Sequence, residues 1–210
     1  MEKSPFLILV TGMPATGKTT FAQLLSERLS VPMASKDVIK ERLYDTLGFR
    51  DRAGKVALAR AAAELLYYFG ERHLCVGQTV ILENVFENST KPGLQRLIDT
   101  YKCETLTVHF HADPVTLFHR FLERDRSPGR HRGHVVNSRY PETGGETLSL
   151  ESRGVTPEGM ERAMREKGVT DFSVGGREIR VDTTDFAKAD TEAVVAEVRQ
   201  WLDSGPPLFP

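Results

Sequence analysis

The chain has 210 residues, which suits one domain with a full-sized core and room for an insertion. With 40% apolar and 27% charged residues it reads as a globular protein, and this excludes a disordered chain. Lysine plus arginine (28) nearly balances aspartate plus glutamate (29), so no global basic field points to nucleic acid, although a local patch stays open. The apolar run near the N-terminus is too short for a signal peptide and no stretch approaches membrane-spanning length, so a cytoplasmic protein is expected. Cys75 and Cys103 have no metal-ligand spacing and are expected to be reduced and partly buried.

In chain order, Phe6 to Val10 is a β-prone apolar run that feeds the loop Gly12-Met13-Pro14-Ala15-Thr16-Gly17-Lys18-Thr19. The loop matches G-x-x-x-x-G-K-[ST] without departure. It opens into a segment with Phe21, Leu24, Leu25 and Leu29 at helical spacing. Val31 to Ser35 predicts a short strand, with Ser35 capping a helix that begins at Lys36-Asp37. Arg52 to Leu74, alanine-rich and free of proline, predicts a long helix closed by Gly77. Gln78 to Leu82 predicts a buried strand ending at Glu83-Asn84, followed by a helix over Lys91 to Tyr101. Thr105 to His111 is the next strand; His109 and His111 on it are expected to be structural or pocket-lining. Asp113-Pro114 is then a cap and first helical position, and the helix carries Leu117, Phe118, Phe121 and Leu122 on its apolar side.

From Arg126 to about Gly176 the texture changes to glycine, proline, arginine and histidine. A short helix from Pro157 to Lys167, capped by Thr156, stands inside it. The expected organisation is a single domain over residues 1–210, with residues 126–176 as an insertion that folds over a site. Arg177 to Val181 returns to strand, and a closing helix places Val194, Val195, Val198, Trp201 and Leu202 on one face. Gly205-Pro206-Pro207 is expected to end it, leaving a loose tail. Strands alternating with helices predict an α/β fold with a parallel sheet covered on both faces, and ligands at the carboxyl ends of its strands.

The chemistry follows from what sits at those ends. Gly12 and Gly17 permit backbone angles and close approach that let the amides of residues 12 to 20, Thr20 included, curl around a polyphosphate. A helix starting near Lys18 adds its positive end. Lys18 is placed to reach terminal phosphates, and the Thr19 hydroxyl suits the Mg²⁺ that travels with them. Asp37, after the second strand, can accept or orient a hydroxyl proton during in-line transfer. Glu83 is a candidate for the metal or the substrate, and Asn84 for a polar substrate contact. Arg120 and Arg124 share a helical stripe, with Arg126, Arg130 and Arg132 following; a cluster of this kind can neutralise charge on a transferred phosphoryl group. His131 and His134 are candidate substrate or phosphate contacts, a zinc pair being disfavoured because no third ligand stands nearby. Lys36, Lys40 and Arg42 are open between a substrate-phosphate role and a solvated helix face.

The order GMPATGKTT, SKDVIKERL, VILENVF, an arginine-bearing helix, GRHRGH and VDTTD resembles the P-loop kinases of the zeta-toxin, chloramphenicol phosphotransferase and polynucleotide 5′-kinase group. The likeness covers residues 6–132 and 177–202. It implies a P-loop NTPase sheet in the order 2-3-1-4-5, ATP with Mg²⁺ as phosphoryl donor, Asp37 as catalytic base, and lid arginines at Arg120, Arg124 and Arg130. It also implies that Asp182 and Thr183 lie against the adenine or its ribose. Glu83 departs from the commoner aspartate. No N-K-x-D pattern selects guanine, and GTP stays open as donor. The expected function is transfer of a γ-phosphoryl group to a hydroxyl of a small molecule. A nucleic-acid 5′-hydroxyl kinase and a regulatory ATPase without an acceptor are the alternatives.

Overall fold

The computed structural model describes residues 4–142 and 154–204. Five strands, β1 (Phe6–Gly12), β2 (Met33–Ser35), β3 (Val80–Glu83), β4 (Glu104–His111) and β5 (Arg177–Asp182), form one sheet in the order β2-β3-β1-β4-β5. Every pairing is parallel. A parallel sheet needs cover on both faces, and period-2 alternation divides β1 between two cores. Phe6, Ile8 and Val10 pack with Phe21 and Leu25 of α1 (Lys18–Leu29) and with Val195 and Val198 of α8 (Thr191–Ser204). Leu7 and Leu9 point the other way, against Leu66 and Leu74 of α3 (Arg52–Leu74) and Leu94 and Leu97 of α4 (Lys91–Tyr101). Each such aliphatic side chain contributes about 1.5–3 kcal/mol relative to exposure. The α/β class and the expected strand order are those observed.

Local signals explain most helix ends. The α3 helix starts at Asp51, whose carboxylate accepts from Gly54 N–H at 2.7 Å, and turns at Gly77 with φ of 74°. The α5 helix (Pro114–Arg126) has Pro114 in its first turn and an Asp113 carboxylate that accepts from Thr116 N–H at 2.8 Å. Two readings change. Ser35 does precede α2 (Lys36–Leu47), but its side chain makes no cap bond, because the hydroxyl donates instead to Glu83. Cys75 is exposed in the turn after α3, while Cys103 is buried; both are free thiols.

Residues 126–142 and 154–176 hold more apolar anchors than their texture suggests. A short helix that the sequence did not announce, α6 (Arg132–Val135), passes so close to α2 that a Cβ on Gly133 would lie 2.3 Å from the Tyr44 ring. Val136 joins Tyr44 and Phe49 in a small cluster, and Lys55 donates to the carbonyls of His134 and Val136. The helix α7 (Pro157–Glu166), capped by Thr156, buries Met160 against Leu117, Phe118 and Leu122 of α5. Phe172 stacks on Phe86 with ring centroids 5.5 Å apart, inside the same core as Leu7 and Leu9. Residues 143–153 of the expected insertion and the expected tail from Gly205 lie outside the described residues. Among the described residues no helix is long and apolar enough to cross a membrane.

Candidate active site

The loop between β1 and α1 is held open by its own backbone. Gly12 has φ of 137° and Gly17 φ of 82°, and Ala15 also sits in the left-handed region at 66°. A Cβ on Gly12 would fall 2.1 Å from the Phe110 carbonyl oxygen of β4, so the sheet itself demands glycine there. The Thr16 hydroxyl donates to Met13 O at 2.8 Å and closes the loop from inside. Gly17 caps α1 without a side chain, leaving the first N–H groups of the helix turned toward the loop, an arrangement suited to an anion.

Three neighbouring strand ends assemble the acid corner. In the sheet register Glu83 lies beside Val10 on one side and Ser35 on the other. Glu83 is buried, accepts from the Ser35 hydroxyl, faces the Thr19 hydroxyl, and lies 4.0 Å from Lys18 Nζ. Burial pushes its carboxyl up, against the pull of Lys18. Lys18, also buried, donates to Met13 O at 3.4 Å. Burial lowers its ammonium while Glu83 and Asp37 oppose the shift. A polyphosphate would strengthen that opposition.

Two cavities flank this corner. The first, about 340 Å³, is lined by Thr16, Gly17, Thr20, Phe21, Leu24, Phe110, Thr183, Phe186, Ala189 and Thr191 and carries no charged side chain. The second, about 360 Å³, is lined by Lys18, Lys36, Asp37, Lys40, Asn84, Glu87, Arg124, Asp125, Arg130, His134 and Lys167, with Pro14, Val85, Phe121 and Met164. Asp37 stands in the first turn of α2, about half-exposed to this cavity, with Lys40 Nζ at 2.8 Å. Burial would raise its carboxyl, but Lys40, then His134 and Lys18, hold it well below the usual carboxylate range. Arg124 and Arg130 share one carboxylate, Asp125, at 3.6 and 3.5 Å. The Nε atoms of both arginines and Asp125 Oδ1 are buried without a hydrogen bond, so this trio is held by charge alone and its donors are not satisfied internally.

Residues 8–142 match the AAA_18 family, described as an AAA domain. The chain belongs to that family. Among solved structures, a candidate kinase from Chloroflexus aurantiacus J-10-fl is 29% identical with a TM-score of 0.73, across 98% of this chain and 100% of that one. A sugar kinase from Janibacter sp. HTCC2649 shares the fold at 11% identity and TM-score 0.52, with 95% of each chain covered. A shikimate kinase from Bacteroides thetaiotaomicron shares it at 17% identity and TM-score 0.50, covering 95% of this chain and 98% of that one. No curated protein matches the chain. The AAA_18 chain therefore has a kinase-like P-loop fold.

Within this AAA_18 fold the candidate residues divide between the two cavities. Lys18, Asp37, Asn84, Arg124, Arg130 and His134 border the charged cavity. Arg120 does not, although it shares a helical stripe with Arg124. Its guanidinium donates to the carbonyls of Thr183 at 2.6 Å and Thr184 at 3.0 Å, and lies 3.8 Å above the Phe186 ring, on the uncharged side. Thr183 lines that cavity, whereas Asp182 is exposed and accepts from Thr184 N–H at 2.8 Å. His131 lies apart from both cavities. Its Nδ1 accepts from Gly133 N–H and its Nε2 meets Asp45 at 3.0 Å, tying α6 to α2. His134 meets Glu41 at 2.8 Å, and burial drives its imidazole down to about 3. Arg126, Arg132 and Arg42 are exposed, and Arg132 pairs with Glu142 at 2.9 Å. On β4, His109 is buried and His111 exposed.

Among the lining residues without a site role in the sequence analysis are Glu87, Asp125, Lys167 and Phe186. Asp125 had a visible signal, being the one acid between two arginines at the end of α5. An aromatic residue soon after a strand-end turn was the corresponding signal for Phe186. Glu87 and Lys167 had none, since the chain brings them together from β3's loop and the end of α7.

Proposed function

We propose that the chain is an ATP-dependent kinase that transfers the γ-phosphoryl group to a hydroxyl of a small molecule. The observation that carries this reading is a phosphate-binding loop standing between an uncharged cavity and a charged one, with Asp37 facing Lys18, Arg124 and Arg130 across the latter. The nucleoside occupies the uncharged side, between Phe186, Thr183 and Leu24. Loop amides and Lys18 bind the phosphates, and the charged cavity receives the acceptor. Arg120 positions the Thr183–Phe186 turn. The Thr19 hydroxyl and the Glu83 carboxylate form an all-oxygen donor set that fits Mg²⁺, and no trio of acidic, histidine or cysteine side chains elsewhere among the described residues would hold a resident metal. Bound there with ATP, the ion neutralises phosphate charge.

In the reaction, the acceptor oxygen bonds to the γ-phosphorus as the bond to the bridging oxygen of ADP breaks. Asp37 orients the hydroxyl and takes its proton late, then passes it to solvent. A carboxylate held so acidic is a weak base, and this suits a loose transition state in which the attacking oxygen keeps its proton until bonding has begun. Arg124 and Arg130 meet the charge on the transferred group and leave little room for water beside it. The likeness to the zeta-toxin, chloramphenicol phosphotransferase and polynucleotide 5′-kinase group fits this reading, and so does an inserted segment, residues 126–176, that contributes Arg130, His134 and Lys167 to the acceptor side.

The test is acceptor-dependent ADP release over a panel of hydroxyl-bearing metabolites, antibiotics and oligonucleotides, followed by Asp37→Asn with the best acceptor. The expected loss is roughly 10²–10⁴-fold in kcat. Unchanged turnover in that variant overturns the mechanism. A steep fall of oligonucleotide binding with salt moves the assignment to a nucleic-acid end.

A further inference from the structure

The charged cavity holds more positive charge than phosphoryl transfer uses. Six of its lining residues are cations (Lys18, Lys36, Lys40, Arg124, Arg130, Lys167) against three carboxylates (Asp37, Glu87, Asp125). In the proposed reaction Lys18 binds the nucleotide's phosphates, and Arg124 and Arg130 meet the charge on the transferred group. Lys40 is bonded to Asp37, and Lys167 lies 4.0 Å from Glu87. Lys36 has no hydrogen bond or ion pair within reach among the described residues, and it is half-buried.

Its position makes this more pointed. Lys36 is the first residue of α2, where the positive end of the helix disfavours a cation. Ser35 cannot offset this with a cap, because its hydroxyl is turned to Glu83. Burial first, then Lys40 and Lys167, lower the Lys36 ammonium, with Asp37 and Glu87 against them. A half-buried lysine at the positive end of an uncapped helix raises the free energy of the empty site unless an anion arrives. A second donor waits beside it: Asn84 is more than nine-tenths buried, lines the same cavity, and keeps its side-chain nitrogen without a partner.

We propose that the acceptor is itself an anion, carrying a phosphate or carboxylate group that Lys36 and Asn84 bind, with Lys167 beside them, while its hydroxyl faces Asp37. This rests on the kinase reading for the hydroxyl, but binding of the anionic group is measurable without turnover. The probes are three matched compounds, glycerol, glycerol 3-phosphate and glycerate, and a second set of glucose, glucose 6-phosphate and gluconate. Each is titrated calorimetrically into full-length protein saturated with a non-hydrolysable ATP analogue, so that the phosphate loop is already filled.

At least one anionic member of a set is expected to bind about tenfold or more tightly than its neutral parent. Lys36→Met is expected to abolish most of that difference. Lys167→Met, at an exposed helix end, is expected to reduce it in the same direction and covers the case in which Lys36→Met does not fold. Phosphate over carboxylate, or the reverse, identifies which anion the cavity takes. Equal binding of neutral and anionic members, or a difference that survives both substitutions, overturns the proposal. Anion binding that depends on Lys36 without ADP release from any alcohol would instead sink the kinase reading and leave the anion site standing.

Discussion

The two cavities beside the phosphate loop differ in kind. The one toward α8 is lined by Phe21, Leu24, Phe110, Phe186 and small hydroxyl side chains, and its one nearby guanidinium, Arg120, is spent on backbone carbonyls. The one toward α2 and α7 is crowded with charge, much of it incompletely paired. Apolar walls suit a flat ring system that needs little more than area and a few polar contacts. Charged walls suit a ligand, and a transition state, that bring charge of their own. The same helix, α5, serves both: Arg120 reaches one side and Arg124 the other.

The largest expected effect comes from the lysine of the phosphate loop, which borders the charged side. Lys18→Ala removes the cation between nucleotide and acceptor, and kcat/KM for phosphoryl transfer is expected to fall about a thousandfold; loss of less than tenfold would remove Lys18 from the chemistry. Separating the sides is the next test. Arg124→Ala is expected to lower kcat by about a hundredfold with a small change in KM for ATP, whereas Arg120→Ala raises KM for ATP about tenfold and moves kcat less. A steady-state comparison of the two variants showing the opposite split would dissolve the division.

The smallest effect is one of stability, on the acceptor side alone. His134, surrounded by Lys40, Arg130 and His131 as well as Asp37 and Glu41, is held neutral down to about 3 by burial first of all. An unfolded histidine protonates near 6.5, so below that pH the unfolded chain binds the extra proton and stability falls until the folded group titrates too. Between pH 6.5 and 5 the expected loss is about 1–2 kcal/mol in urea unfolding, and His134→Gln should flatten it. Asp37 does not contribute in that window. Its depressed carboxyl stabilises the fold above the unfolded value near 3.9 and loses that contribution only at lower pH. A flat profile, or the same slope in His134→Gln, would show the histidine to be uninvolved.

What the sequence made legible is what local spacing can encode. The loop from Gly12 to Thr19, the helix over Arg52–Leu74, and the caps at Asp113 and Thr156 each depend on neighbours within a few positions. The strand order was not read from spacing; it came with the family likeness. Partnerships across the chain stayed hidden. Ser35 looked like a cap because caps are local, yet Glu83, 48 positions on, competes successfully for its hydroxyl. Arg120 and Arg124 look equivalent on a helical wheel, but their long side chains take different partners, the turn after β5 for one and, within α5, Asp125 with the Phe121 ring for the other. His131 and His134 looked like a pair and are divided by the same logic, one pinning α6 to Asp45 and one bordering the cavity. The stretch from Arg126 to Gly176 looks poor in apolar residues because its anchors, Val136, Met160 and Phe172, are spread thinly along it and each finds a different cluster.

Gly12 carries a consequence for any inactive control made from this chain. Its φ of 137° and the 2.1 Å separation between a Cβ and the Phe110 carbonyl belong to the junction of two central strands. Replacing it would disturb β1 against β4 before any nucleotide arrived, so an inert Gly12 variant would report a damaged scaffold and leave phosphate affinity unmeasured. Lys18 is buried as well, with its ammonium 4.0 Å from Glu83 at the end of β3, so a Lys18 knockout is read as lost catalysis only beside a stability measurement that shows the fold intact.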